Sequence, residues 1–233
     1  MQLPEIRAHL VHRFIFNYRV PPEVLAERLP EWLEPQVIHG SAVGSHCVLC
    51  LERVTFGPVP DRLGVSNINC AQRFGVIDKR TAEPAVYVHE RNTDSRLGAF
   101  VSSLGFPGKH VYVKARVEES GEGAWSLEID NGGGEPLFSA RAARTERFSS
   151  SLFDSMGDFQ EFLAAGVRSY SPAVKPDRLN VVDLQKEDPT YEPLSAEDVH
   201  DSFFESCSGV FDSALRTGGG TYRWSYRGHQ ALT

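Results

Sequence analysis

The run His9-Leu10-Val11-His12-Arg13-Phe14-Ile15-Phe16-Asn17-Tyr18-Arg19 decides the fold. Leu10, Phe14, Phe16 and Tyr18 share one parity, with His12 among them; Val11, Arg13, Ile15, Asn17 and Arg19 share the other. Successive strand side chains point to opposite faces, so this is a long strand with one apolar face. Pro21-Pro22-Glu23 then starts a short helix, because a first turn tolerates the missing proline N–H. Val24, Leu25 and Leu29 give its buried side, and Pro30 ends it. Working outward, further strands are predicted over residues 42–53, 65–74, 85–90, 110–118, 125–130 and 136–148. Their separators are turn formers: Gly57-Pro58, Asp61-Arg62-Leu63-Gly64, Ser120-Gly121-Glu122-Gly123, and Asn131 with Gly132, Gly133 and Gly134.

Between Asn92 and Leu104, Leu97, Phe100, Val101 and Leu104 recur at helical spacing. Thr93 is the expected N-cap and Gly105 the stop. A second helix is predicted over 157–165, with Phe159, Phe162 and Leu163 inward and Gly166 as its stop. Four prolines between Pro172 and Pro193 predict an extended surface excursion. Ser195 and Asp198 resemble a capping box for a helix through Cys207, and residues 221–226 close the chain as a strand. Many strands, few helices and no βαβ rhythm give an α+β fold. It is a mainly antiparallel curved sheet closing into a barrel or cone around a central pocket, with a few covering helices. The organisation expected is one domain over 1–233, with 149–233 a helical and extended C-terminal extension packed on the sheet.

Composition removes several classes. With 24 basic and 31 acidic residues in 233, the net charge is −7, which disfavours nucleic acid and anionic membrane surfaces as partners. No apolar run approaches the ~20 residues of a membrane span, and the first residues lack a secretory h-region, so a cytoplasmic protein is expected. Cys47, Cys50, Cys70 and Cys207 read as free thiols. Cys47 and Cys50 form a CxxC, but three residues apart on a strand their sulfurs diverge, and no further ligand pair completes a metal site. Neither a GxGxxG turn nor a P-loop is present. No metal or organic cofactor is expected.

Asn17-Tyr18-Arg19-Val20, followed by a helix and Leu29-Pro30-Glu31-Trp32-Leu33-Glu34-Pro35, resembles the N-terminal block of the acetoacetate decarboxylase superfamily. Gly105-Phe106-Pro107-Gly108-Lys109, leading into a strand, resembles the lysine loop of that superfamily, and the texture is most similar to its YqjF-like group of uncharacterised bacterial proteins. The resemblance covers roughly residues 8–150. It implies a curled antiparallel sheet around an apolar pocket, and a lysine that forms a Schiff base with a β-keto acid beside a second lysine and an arginine. Arg19 falls on the arginine and Lys109 on the neighbouring lysine. Gly108 occupies the Schiff-base position, where no amine is available.

The residues themselves leave two readings of Lys109. It shares parity with Val111, Val113, Ala115 and Val117, so it either heads a core-facing row or snorkels to water from its loop. Burial would depress its pKa and supply a neutral amine nucleophile. Arg19 is either a surface ion pair or a bidentate carboxylate clamp, and Glu90 with Arg91 are either site groups or a local rim pair. His12 reads as a hydrogen-bonded core residue. Tyr222, Trp224 and Tyr226 read as one packed face of the last strand.

The function expected is a small-molecule enzyme acting on a keto acid or related carbonyl compound, a decarboxylase- or aldolase-like lyase. Lys109, Arg19 and Glu90 are its catalytic candidates. The alternative is a non-catalytic protein that holds a small apolar ligand in the sheet pocket. A small-molecule partner, no nucleic acid, no membrane and a homo-oligomer complete the expectation.

Overall fold

The computed structural model describes residues 4–103, 109–121, 123–187 and 190–232. The opening strand is longer than its alternation predicts: β1 runs Ile6–Val20. It is followed by α1 (Pro22–Ala26), β2 (Leu33–Pro35), β3 (Val37–Ile38), β4 (Ser41–Phe56), β5 (Val65–Asp78), β6 (Glu83–Thr93) and α2 (Arg96–Ser103). Next come β7 (His110–Tyr112), β8 (Lys114–Glu119), β9 (Ala124–Asp130), β10 (Pro136–Arg144) and α3 (Met156–Ala165). The chain closes with β11 (Arg168–Pro172), β12 (Arg178–Lys186), β13 (Glu192–Asp201), α4 (Ser202–Ser206), β14 (Val210–Thr217) and β15 (Thr221–Ala231).

The sheet is curved and mainly antiparallel, and β1 is its hub. One edge of β1 pairs with β4 from Ile6 to Val20. The other edge is shared: Ile6–His9 pair with β15 and Arg13–Arg19 with β14. Following the pairings from β4 through β5, β6, β11, β12 and β15 returns to β1, so seven strands make a ring. From β14 a second arm continues through β13, β10, β9 to β8. A strand between ring and arm is covered on both faces over much of its length. Phe14, Phe16 and Tyr18 pack into the main core, while Arg13, Ile15 and Asn17, on the parity expected to be polar, are buried as well.

Four sequence expectations are corrected here. The proline-rich stretch is not a surface excursion, since residues 178–186 form β12, between β11 and β15. The 149–233 region is not a cover either, because its strands complete the ring. The Ser195/Asp198 capping box is absent: those residues lie in β13, and the short helix that follows is capped by Asp201, whose side chain accepts from the N–H groups of Phe203 and Phe204. The 110–118 strand divides at Val113, with β7 pairing parallel to β6 and β8 pairing to β9. Because the register changes sheet partner there, Lys109 and Val111 are exposed while Val113 is fully buried. In α2, Leu97 and Phe100, two of the residues at helical spacing, are exposed. The expected stop at Gly105, and the loop through Gly108, lie outside the described residues.

The Leu29–Pro35 block is structural. Trp32 donates its Nε1–H to the Leu232 carbonyl at 3.2 Å and meets Tyr170 edge-on, with Arg80 stacked 3.7 Å over its ring. Arg80 reaches Asp78 at 2.6 Å, and Tyr170 donates to the same carboxylate at 2.8 Å. The bond from Arg80, followed by that from Tyr170, overcomes burial and holds Asp78 down at about 2. A carboxylate depressed in the folded state contributes stability above its unfolded value, near 4, and loses it as pH falls toward 2. Asp78→Asn is therefore expected to cost about 1–2 kcal/mol at pH 7 and nothing measurable at pH 2, read by urea unfolding at the two pH values.

Candidate functional site

Inside the ring lies a cavity of about 310 Å³. That is the size of a small-ligand site. β5 supplies one wall, Val65, Asn67, Asn69, Ala71 and Arg73 on one parity, with Cys70 reaching it from the other. β4 supplies Cys47, Leu49 and Leu51, then Val54 and Phe56. The change of parity is made by a bulge between Leu51 and Val54, where Arg53 has φ +53°. β12 and β15 add Val182, Leu184 and Trp224.

A second bulge determines the chemistry. On β6, Gln72 faces Glu90 but Arg73 faces Val88, so His89 is the extra residue. A bulge turns the following residues over. Arg91 therefore joins Val86 and Val88 on the cavity side. Glu90 is left exposed, accepting from Asn92 Nδ2 at 2.7 Å. The two residues read together in the sequence thus face apart.

Three arginines line this cavity: Arg13, Arg73 and Arg91. Arg13 is 1% exposed and donates from Nε to Cys47 Sγ at 3.3 Å and from Nη1 to the Tyr222 hydroxyl at 3.3 Å. Arg73 Nε and Nη2 and Arg91 Nε are buried with no hydrogen-bond partner among the described residues. No carboxylate among those residues is within ion-pairing distance of the three, and the groups acting on Arg73 and Arg91 include none. Burial, then the Arg73 charge, brings Arg91 down to about 10; burial, with the Arg13 charge, lowers Arg73. Buried guanidinium N–H groups normally find acceptors, and among the described residues Arg73 and Arg91 have none for these N–H groups beside the largely apolar lining.

The same cations act on two nucleophile-bearing residues. Burial raises the Cys47 thiol, but Arg73 and Arg13 outweigh it and hold the group below its ordinary value. Cys70 lines the same cavity without such a partner, and burial drives it well above. Cys47 and Cys50 fall on opposite faces of β4, in different packing clusters. Lys186, at the end of β12, borders a smaller cavity of about 30 Å³ that shares Arg13 and Arg73 with the large one. Burial, then Arg13 and Arg73, depress its amine to about 7. Its Nζ donates to the Leu163 carbonyl at 3.4 Å.

The sequence candidates fall elsewhere. Lys109 is exposed, just before β7, although the adjacent His110 lines the cavity. Arg19 sits at the sheet's rim, 41% exposed, with Nε 3.7 Å from Asp212. Asp212 also accepts from the Ser151 N–H and the Ser150 hydroxyl, tying down the serine run after β10. Lys109, Arg19 and Glu90 are therefore not brought together at the cavity. His12 behaves as a core histidine: Arg216 donates to Nδ1 at 2.6 and 3.1 Å, and burial followed by the Arg216 charge lowers its pKa.

Comparison with known proteins places the fold. A model of the DUF2071 family, described as an uncharacterized conserved protein, matches residues 7–214. An acetoacetate decarboxylase from Legionella pneumophila superposes with a TM-score of 0.69 at 14% identity, covering 97% of this chain and 87% of the other. An acetoacetate decarboxylase-like enzyme from Sphingomonas wittichii gives 0.63 at 13%, covering 99% and 92%. The enduracididine biosynthesis enzyme MppR, solved in complex with pyruvate, gives 0.60 at 12%, covering 99% and 90%. At these identities the likeness is one of fold. No curated protein sequence matches significantly. No helix among the described residues is long and apolar enough to cross a membrane.

Proposed function

We propose that this chain, which belongs to the DUF2071 family, binds a small organic acid carrying a carbonyl group in its ring cavity and acts on it through a lysine amine, as a lyase of the decarboxylase or aldolase kind. One observation carries the reading: Arg73 and Arg91 present buried, unpartnered N–H groups beside an apolar cavity free of carboxylates among the described residues. A ligand carboxylate would supply the missing acceptors, and a guanidinium fork takes both of its oxygens. MppR, of the same fold, has been solved with pyruvate, an acid of this class. The amine we assign is Lys186 rather than Lys109, because burial, then the Arg13 and Arg73 charges, brings it to about 7, and Arg73 is one of the two arginines that would hold the acid. A neutral amine adds to a carbonyl carbon, water leaves, and the protonated imine takes up the electron pair released when a neighbouring C–C bond breaks.

The non-catalytic reading has one observation in its favour: Lys186 borders the small cavity, with Arg13 and Arg73 between it and the large one. The experiment separates the two. The protein is incubated with pyruvate or acetoacetate and reduced with borohydride, and the adduct is located by peptide mass. A lysine adduct on Lys186 supports chemistry. Acid binding by calorimetry with no adduct leaves a binding protein. Arg73→Met is expected to weaken acid binding by roughly 10- to 100-fold, since a charge-assisted hydrogen bond is worth about 1.5–3 kcal/mol. Unchanged affinity in Arg73→Met would remove the anion site.

A further inference from the structure

The cavity is not closed around its arginines. Phe56, Val65 and Leu97 line it and are also 56%, 52% and 67% exposed, so the hollow opens to solvent between them. Arg73 and Val65 stand at opposite ends of one face of β5, eight residues apart. At about 3.3 Å per residue this is roughly 26 Å of wall. The side walls between them are largely hydrocarbon: Leu49, Leu51 and Val54 on β4, Val182 and Leu184 on β12, and Trp224 on β15. Asn67 and Asn69 interrupt the β5 wall, where the Asn69 amide donates to Asn67 Oδ1 at 3.1 Å. A charged floor, greasy walls and an apolar lip are more than a two- or three-carbon acid would use. Its carboxylate would fill the arginine site and leave the channel wet.

From this gradient we infer that the acid held here carries a hydrocarbon chain, its carboxylate at Arg73 and Arg91 and its tail running along β5 to the lip at Phe56, Val65 and Leu97. The inference rests on the acid-binding reading above and names its ligand class as an amphipathic acid. The lip is then the exit for the tail rather than a seat for another protein. The charge complementarity lies at the bottom of the channel, where only a slender anion reaches.

The test is a series of straight-chain carboxylates, butanoate, hexanoate and octanoate, titrated into the protein by calorimetry, with octylamine as the control. Burying each added CH₂ is worth about a fourfold gain in affinity, so octanoate should bind more than a hundredfold tighter than butanoate. Octylamine should fail to compete. Octanoate is far shorter than the roughly 26 Å wall, so the lip is probed with octadecanoate: Leu97→Glu and Val65→Glu alter exposed side chains and should weaken octadecanoate severalfold more than octanoate. Arg73→Met should weaken every member alike. A flat series in the native protein, with butanoate still bound through Arg73, overturns the chain and spares the small-acid reading. Failure of all the acids overturns both. Octylamine binding as tightly as octanoate overturns the assigned polarity. Light scattering that shows a dimer undiminished by saturating octadecanoate, yet dispersed by Leu97→Glu, means a second copy covers the lip, and also overturns the inference.

Discussion

Asp201→Ala is expected to lower the stability of the protein by about 2.5–4 kcal/mol at pH 7, measured by urea unfolding. For a chain of this size that amounts to a melting temperature lower by about 10 °C. Asp201 is 2% exposed and its two oxygens do separate work. Oδ1 accepts from the N–H groups of Phe203 and Phe204, capping α4. Oδ2 accepts from His46 Nδ1 at 2.7 Å. Removing a cap costs about 1 kcal/mol. Stranding a buried group that was bonded to a charged partner adds about 1.5–3 kcal/mol. His46 cannot recover the loss elsewhere: it is 1% exposed, its Nε2 already lacks a partner among the described residues, and the Phe138 ring lies 4.3 Å from its own. The damage spreads through Phe204, fully buried and stacked on Tyr18 at 4.2 Å. Gly44 leaves the room for that ring, since a Cβ there would lie 2.3 Å from it. Asp201→Asn keeps a carbonyl oxygen for the cap and should lose about half as much. A loss below about 1 kcal/mol for the alanine variant would mean that the His46–Asp201 contact is solvated in the folded protein.

What the sequence could convey about this molecule follows from what periodicity measures. Alternation in β1 locates a strand and separates its two faces, but does not say how many faces are covered. Arg13 was assigned to the polar face on the usual premise that one side of an antiparallel strand meets water. In the structure, pairing with β4, β14 and β15 puts that face inside the ring, where Arg13 becomes part of the cavity. Arg91 was hidden by the bulge at His89, because an inserted residue reverses parity and leaves no compositional mark. β12 was hidden by its neighbours: Pro172 ends β11 and Pro176 sits in the turn to β12, so the prolines punctuate strands rather than exclude them. The Leu29–Pro35 block packs as scaffold. Trp32 and Tyr18 hold corners of the sheet, while Arg73 and Lys186 carried no local pattern at all. The resemblance reached the right fold because blocks in order report topology. It did not reach the cavity's cations because those are assembled across β1, β5, β6 and β12, from positions far apart in the chain.

Lys186→Met is expected to abolish the borohydride-trapped adduct while Lys109→Ala retains it, and the pH dependence should say why. The ordinary lysine value is 10.5; burial, then the Arg13 and Arg73 charges, bring Lys186 to about 7. Trapping should therefore rise to its plateau through pH 7, where a solvent-exposed amine would still be almost wholly protonated. Arg73→Met removes one of the like charges, so in that variant the midpoint moves upward toward the ordinary value. Stability supplies an independent reading of the same amine. Its folded pKa lies below its unfolded one, so between pH 10.5 and 7 the unfolded chain takes up a proton that the folded chain refuses. Folding is thus penalised progressively as pH falls through that window, and the penalty is constant below it. Methionine keeps the aliphatic stem and removes the amine. Lys186→Met should consequently match the native protein near pH 10.5 and exceed it by on the order of 2 kcal/mol at pH 7, in paired urea titrations. An adduct that survives in Lys186→Met, or a stability gap that does not change with pH, would show that the cation cluster does not govern this amine. The proposed chemistry would then lose its nucleophile, and the arginines would stand as a binding site alone.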